Sequence, residues 1–186
     1  MVLKGRFSSY QEFFDLVKLV TQMKMTINLC LTHERKGKRL FLSFKDGSLV
    51  VLECDCKEAV LLDFNFKNGK VPVERFIRTT IFIFLLDFED FSFETVSKEK
   101  EEMFKIDDFE TMFLDVIREV DEISDFPEEM EYRIKSSEFM LSSVEEVQLL
   151  GYLLSGYSLY QSIFSMGKVK EFLDAYKNLK KKEFLS

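Results

Sequence analysis

Asp46-Gly47, set between the runs Arg39–Phe44 and Ser48–Cys56, constrains the fold more than any other feature of this sequence. An Asp-Gly pair favours the two-residue turn in which both central residues take positive φ, since glycine has no Cβ to clash and aspartate tolerates it. Before the turn, Leu40, Leu42 and Phe44 alternate with Phe41 and Ser43, and after it an apolar run follows. The stretch therefore predicts an antiparallel hairpin, which needs a sheet to sit in. Upstream, Ile27, Leu29 and Leu31 alternate with Thr26, Asn28, Cys30 and Thr32, the pattern of a half-buried strand. Residues 34–38 form a basic turn joining it to the hairpin.

Helical spacing frames these strands. Ser8 or Ser9, with Glu12 behind, makes a capping box ahead of Phe13, Phe14, Leu16, Val17, Val20 and Met23. Residues 59–70 read as a helix turn or a further strand and end at Asn68-Gly69. Pro72 suits the first turn of a helix carrying Phe76, Ile77, Thr80, Ile81, Phe84 and Leu85. Residues 90–96 alternate again as a closing strand. Asp107 or Asp108 caps a helix whose apolar stripe is Phe109, Met112, Phe113, Val116, Ile117 and Val120, with its acids expected to face water. Ser142-Ser143-Val144-Glu145-Glu146 reads as another capping box opening a helix, stopped at Ser155-Gly156. Ser158 caps a short one stopped at Gly167, and the last runs to the end.

Charge divides the chain in three. Residues 1–97 are near balance, residues 98–131 hold 4 Lys and Arg against 14 Asp and Glu, and residues 132–186 hold 8 against 6. The expected fold is α+β: an N-terminal module over 1–97 with an antiparallel sheet and flanking helices, an acidic helical connector over 98–131, and an all-α, three-helix module of helix-turn-helix or winged-helix-like form over 132–186. The 21 Phe beside no Trp point to a core packed with phenylalanine. A net charge of −7 argues against whole-molecule attachment to nucleic acid or acidic lipid. Residues 79–88 are apolar but too short to span a bilayer, and the charges at Lys4 and Arg6 break any leader-like run. Three cysteines suit a reducing cytoplasm, which is the expected location.

Residues able to do chemistry are few. Cys54 and Cys56 sit one residue apart, on one face of a strand, and zinc would need further ligands. Cys30 and His33 are the remaining thiol and imidazole, and strand alternation puts them on opposite faces. The expectation is two packing thiols, since a disulfide between residues i and i+2 is strained, and a surface turn for His33. The seven glycines form no dinucleotide or phosphate loop. No catalytic, cofactor-binding or metal-binding residue is singled out, although 33 acids leave carboxylate chemistry open as a third reading. Lys168, Lys170, Lys177, Lys180, Lys181 and Lys182 are the candidate nucleic-acid contacts, but the last helix lacks Arg and carries Glu171, Asp174 and Glu183.

The order helix, strand, Asp-Gly hairpin, helix, strand resembles the PATAN domain found at the N-terminus of PatA-type response regulators. Residues 5–20 resemble that family's opening strand and helix. The hairpin with its Phe-x-x-Gly turn, here Phe44-Lys45-Asp46-Gly47, resembles its centre, and residues 76–96 its closing helix and aromatic-x-aromatic strand. The resemblance covers about residues 3–96 and departs from the family at Cys54-Asp55-Cys56, where small residues usually stand. It implies a non-catalytic bacterial signalling adaptor that binds other proteins, in two-component or small-GTPase-linked control of motility or surface behaviour. The implied partner is a signalling protein, with a homodimer also open. The alternative is a transcription regulator using the C-terminal helices on DNA.

Overall fold

A computed structural model describes residues 3–33, 35–86, 91–97, 100–124, 141, 143–182 and 185. The expected boundary at 131/132, and Asp90 and Ser142, lie outside them. The hairpin forms where the sequence places it: β3 (Lys38–Lys45) and β4 (Ser48–Asp55) pair antiparallel, with φ of 51° at Asp46 and 81° at Gly47. β2 (Ile27–His33) pairs with β3. β5 (Phe91–Thr95) pairs with β2 on one side and with β1 (Lys4–Phe7) on the other. The sheet order is β1-β5-β2-β3-β4, antiparallel throughout.

One face of this sheet is the core floor. Leu29, Leu31, Leu40, Leu42 and Phe44 are buried, while Cys30, Thr32, Phe41 and Ser43 on the opposite face are half-buried. β4 departs from alternation, with Ser48 to Leu52 all buried. The cause lies at its outer edge: Leu49 and Ile106 exchange two backbone hydrogen bonds of 2.9 Å, and the Met103 N–H donates to the Val50 carbonyl at 2.9 Å. This cover shields the first part of the edge strand, at Leu49 and Val50, from pairing with another chain. Lys100 extends the cover, pairing with Glu53 and lying 4.2 Å from the Phe41 ring centre.

Three helices roof the floor: α1 (Tyr10–Gln22), α3 (Val73–Leu85) and α4 (Phe109–Ser124). Between β4 and α3, a 3-10 turn at Lys57–Ala59 leads into α2 (Val60–Lys67), so residues 59–70 take the helical alternative. Phenylalanine does fill the core. Phe13 meets Phe113 edge-on at 4.7 Å, Phe84 stacks on Phe91 at 4.7 Å, and Phe44 meets Phe109 at 5.6 Å. Offset and edge-on pairs of this kind add to the burial each ring already supplies. Phe109, Phe113, Val116, Val120 and Ile123 of α4 are buried in that same core, so the acidic helix is packed into the fold along its apolar stripe. One acid breaks the expected pattern: Glu119 is buried rather than facing water.

His33 corrects the expectation of a surface turn. It is 1% exposed, its ring stands edge-on to Phe91 at 5.1 Å, and its Nδ1 accepts from the Lys36 N–H at 3.3 Å. Counting by twos from Leu29 and Leu31 puts residue 33 on the buried face, so the strand's own alternation outweighs the adjacent charged turn.

The C-terminal part is α5 (Val144–Leu154), α6 (Leu159–Met166) and α7 (Val169–Lys181). Ser143 caps α5 by accepting from the Glu146 N–H, but Glu146 turns its carboxylate to Lys182 instead of closing a box. At α6 the box is complete: the Ser158 hydroxyl accepts from the Gln161 N–H at 3.1 Å, and the Gln161 side chain accepts from the Ser158 N–H at 2.9 Å. Gly167 ends α6 at φ 62°. Ser158→Ala should cost about 1 kcal/mol, lowering the thermal midpoint by about 2–4 °C in a chain of this size. Thermal denaturation followed by circular dichroism checks it, and an unchanged midpoint would show that the box does not hold α6. The chain is thus α+β, with an N-terminal antiparallel sheet module, flanking helices and several C-terminal helices. No helix among the described residues is long and apolar enough to cross a membrane.

Candidate functional site

The cysteine pair is where the structure departs furthest from the sequence reading. Cys54 and Cys56 are joined in a disulfide, with their Cα atoms 5.4 Å apart. The expectation of two packing thiols on one strand is therefore corrected. β4 ends at Asp55, and Cys56 is already the residue before the 3-10 turn, with φ −126° and ψ 128°. Cys56 is itself still extended, and the 5.4 Å separation falls within the ordinary span for a bridged pair. Cys56 is buried and Cys54 half-buried. A cleft of about 470 Å³ lies beside Cys56, lined by Lys36, Gly37, Lys38, Asp55, Lys57 and Glu58. The Lys38 Nζ, nearly buried, lies 3.5 Å from the Ile83 carbonyl and 3.9 Å from the Glu58 carboxylate. Cys30 stands apart as a free thiol. Among the described residues, no group of three or more His, Cys, Asp or Glu is gathered to hold a metal ion.

The six C-terminal lysines do not form one free face. Lys168 donates to Gln148 at 2.8 Å, Lys177 to Glu122 at 2.8 Å, and Lys182 to the fully buried Glu146 at 2.8 and 3.1 Å. Lys170, Lys180 and Lys181 are exposed. At least three of the six cations are thus engaged with partners of this same chain, which leaves a thinner electrostatic footprint than the sequence count implies.

A second cleft, of about 280 Å³, separates α3 from α4 and the start of α7. Arg78 bridges Asp115 at 3.6 Å and Glu119, and Arg75 reaches Glu171 at 3.4 Å. Burial pushes the Glu119 carboxyl above its ordinary value, against the opposing pull of the Arg78 guanidinium. Its Oε2 and the Thr79 hydroxyl are buried without a hydrogen-bond partner. Sequence reasoning missed this cluster, although the signal was present: Arg75 and Arg78 stand three apart, and Asp115 and Glu119 four apart, so each pair shares a helix face. With three acids and three bases along its walls, the cleft largely satisfies itself and acts as a clasp between helices.

Among the described residues, α2 and α5 each carry an outward apolar face. On α2, Val60, Leu61 and Phe64 are 66%, 51% and 57% exposed. On α5, Val144, Val147 and Leu154 are 64%, 53% and 66% exposed, with exposed Gly151 between the last two. Their 3-4-3 spacing is that of a helix–helix seam. The buried face of α5 is carried by Glu146, Leu149 and Leu153, so the seam lies on its other side. Comparison with known proteins finds no matching family model, no matching curated protein and no matching solved structure.

Proposed function

We propose that this chain is a non-catalytic bacterial signalling adaptor of PATAN type, acting in the cytoplasm by binding another protein. The observation that carries the reading is the outward 3-4-3 row of Val144, Val147, Gly151 and Leu154 on α5, supported by Val60, Leu61 and Phe64 on α2. Large apolar side chains grouped on a surface are costly to leave in water and mark interaction sites. The occupant that fits is an amphipathic helix of a signalling protein, apolar along one seam and basic at its flanks, given the chain's net charge of −7. The residues' order and hairpin turn, through their resemblance to PATAN domains, point to two-component or small-GTPase-linked control of motility or surface behaviour.

The test uses the full chain as bait, with Leu154→Glu and Phe64→Glu beside it. Exposed positions of this kind should change stability by no more than about 0.5 kcal/mol. A partner of this class should be retained by the wild type and lost by at least one variant of unchanged thermal midpoint. Binding of duplex DNA that weakens steeply with added salt, and that survives both variants, would overturn the adaptor in favour of a transcription regulator working through Lys170, Lys180 and Lys181.

A further inference from the structure

We infer that Cys54 and Cys56 form a reversible thiol–disulfide site that exchanges with low-molecular-weight thiols of the glutathione class and clamps the start of α2. Three observations converge on it. The two sulfurs are bonded across the junction where β4 gives way to the 3-10 turn at Lys57–Ala59. The pair is unequally exposed, with Cys54 half-buried and Cys56 buried. The cleft against Cys56 holds three lysines, Lys36, Lys38 and Lys57, opposed by Asp55 and Glu58, and Asp55 is already paired with Arg39 at 2.9 Å.

This asymmetry assigns the roles. An external thiolate reaches the sulfur of Cys54, forms a new bond to it and breaks the Cys54–Cys56 bond. The electron pair leaves on the sulfur of Cys56, where the lysine ammonium groups stabilise the charge as it develops, and a proton follows. A second external thiolate then attacks the external sulfur of the mixed disulfide. One low-molecular-weight disulfide is released, and the Cys54 thiolate takes up a proton. Two thiols are oxidised, one protein disulfide is reduced, and two electrons are transferred. The reverse reaction uses a low-molecular-weight disulfide as oxidant.

The consequence falls on α2. With the bridge closed, the chain leaving β4 is held across three residues before Lys57. With it open, the 3-10 turn and the helix that follows keep only their noncovalent contacts. The inference is independent of the docking reading, because thiol state is measured on the isolated protein.

The experiment uses the full chain with Cys30→Ser as background, equilibrated from both directions in a series of glutathione to glutathione disulfide ratios. It is quenched in acid, alkylated and weighed intact. The expected result is a single step between two alkylated thiols and none, with the same midpoint from either side. In the reduced protein, hydrogen exchange over 57–67 should run roughly tenfold faster. Cys56→Ser should accumulate a mixed disulfide on Cys54, and Lys57→Gln should slow reduction by about two- to fivefold. Two alkylated thiols at every ratio, or a disulfide that opens only in denaturant, would overturn the exchange site. A reversible step with unchanged exchange over 57–67 would overturn the clamp.

Discussion

Gly47→Ala should be the most damaging single-methyl change in this protein, costing about 3 kcal/mol or more and lowering the thermal midpoint by about 6–12 °C. Two costs add. Residue 47 sits at φ 81°, where an L side chain is strained by about 1–2 kcal/mol. A Cβ there would also stand 2.6 Å from the Thr21 carbonyl oxygen in the last turn of α1 and 3.1 Å from the Lys24 Cα just beyond it, both backbone atoms. The turn cannot move away freely, since the Gly47 N–H donates to the Met25 carbonyl at 3.0 Å and the Asp46 N–H to the Thr26 hydroxyl at 3.1 Å. Gly37→Ala is the control: its φ is 64° but nothing lies within 4 Å of its Cβ, so only the strain remains. Urea denaturation of both variants separates the terms. Equal losses would show that the docking of the hairpin tip on α1 contributes nothing.

Arg78→Met should be the second large loss, about 2–4 kcal/mol near neutral pH, because it leaves the Glu119 carboxylate in a place built for a pair. Arg78→Met with Glu119→Leu should recover most of that loss, since a buried ion pair contributes little over apolar groups of similar shape. The pH dependence carries a sign. Burial holds the Glu119 carboxyl above its ordinary value of 4.5 in the folded chain, so the folded state keeps this proton longer than the unfolded one. Its effect on stability is most favourable at the acid end and is lost as pH rises from 4.5 through the raised value. Arg78→Met removes the opposing attraction and should extend that decline upward, while Glu119→Leu should abolish it. Urea midpoints taken between about pH 4 and pH 8 read the slope directly. A slope unaffected by Glu119→Leu would place its origin elsewhere.

How much of this was legible in the sequence depended on whether the signal was local. The alternation of β2 and β3, the Asp-Gly turn and the serine caps are set by neighbours within a few residues, and they appear where the pattern puts them, whereas β4 loses its alternation to the segment around Ile106 that covers it. The antiparallel hairpin and the Gly167 stop need nothing distant. His33 was misread because a charged turn adjoins it, although its register with Leu29 and Leu31 already placed it inside. The cysteine bridge was misread for a different reason: an i, i+2 spacing on a strand reads as too strained to bridge, yet the two Cα atoms lie 5.4 Å apart, an ordinary span for a bonded pair. The Arg78–Glu119 clasp joins residues on α3 and α4 that no sequence period connects. Its faces were visible, but which face met which was a matter of packing.

The place of β5 in the sheet has a consequence for synthesis. β2, β3 and β4 follow one another along the chain, so this meander can pair as soon as Asp55 has been made. The other edge of β2 waits for Phe91 to Thr95, and β1, made first of all, has no strand partner until the same five residues arrive. At ribosomal rates of about 5–20 residues per second, that edge stays open for roughly 3–12 s after His33 is added. During that interval the nascent chain carries a template for pairing with its neighbours on the same message, and β5 is the strand that closes it.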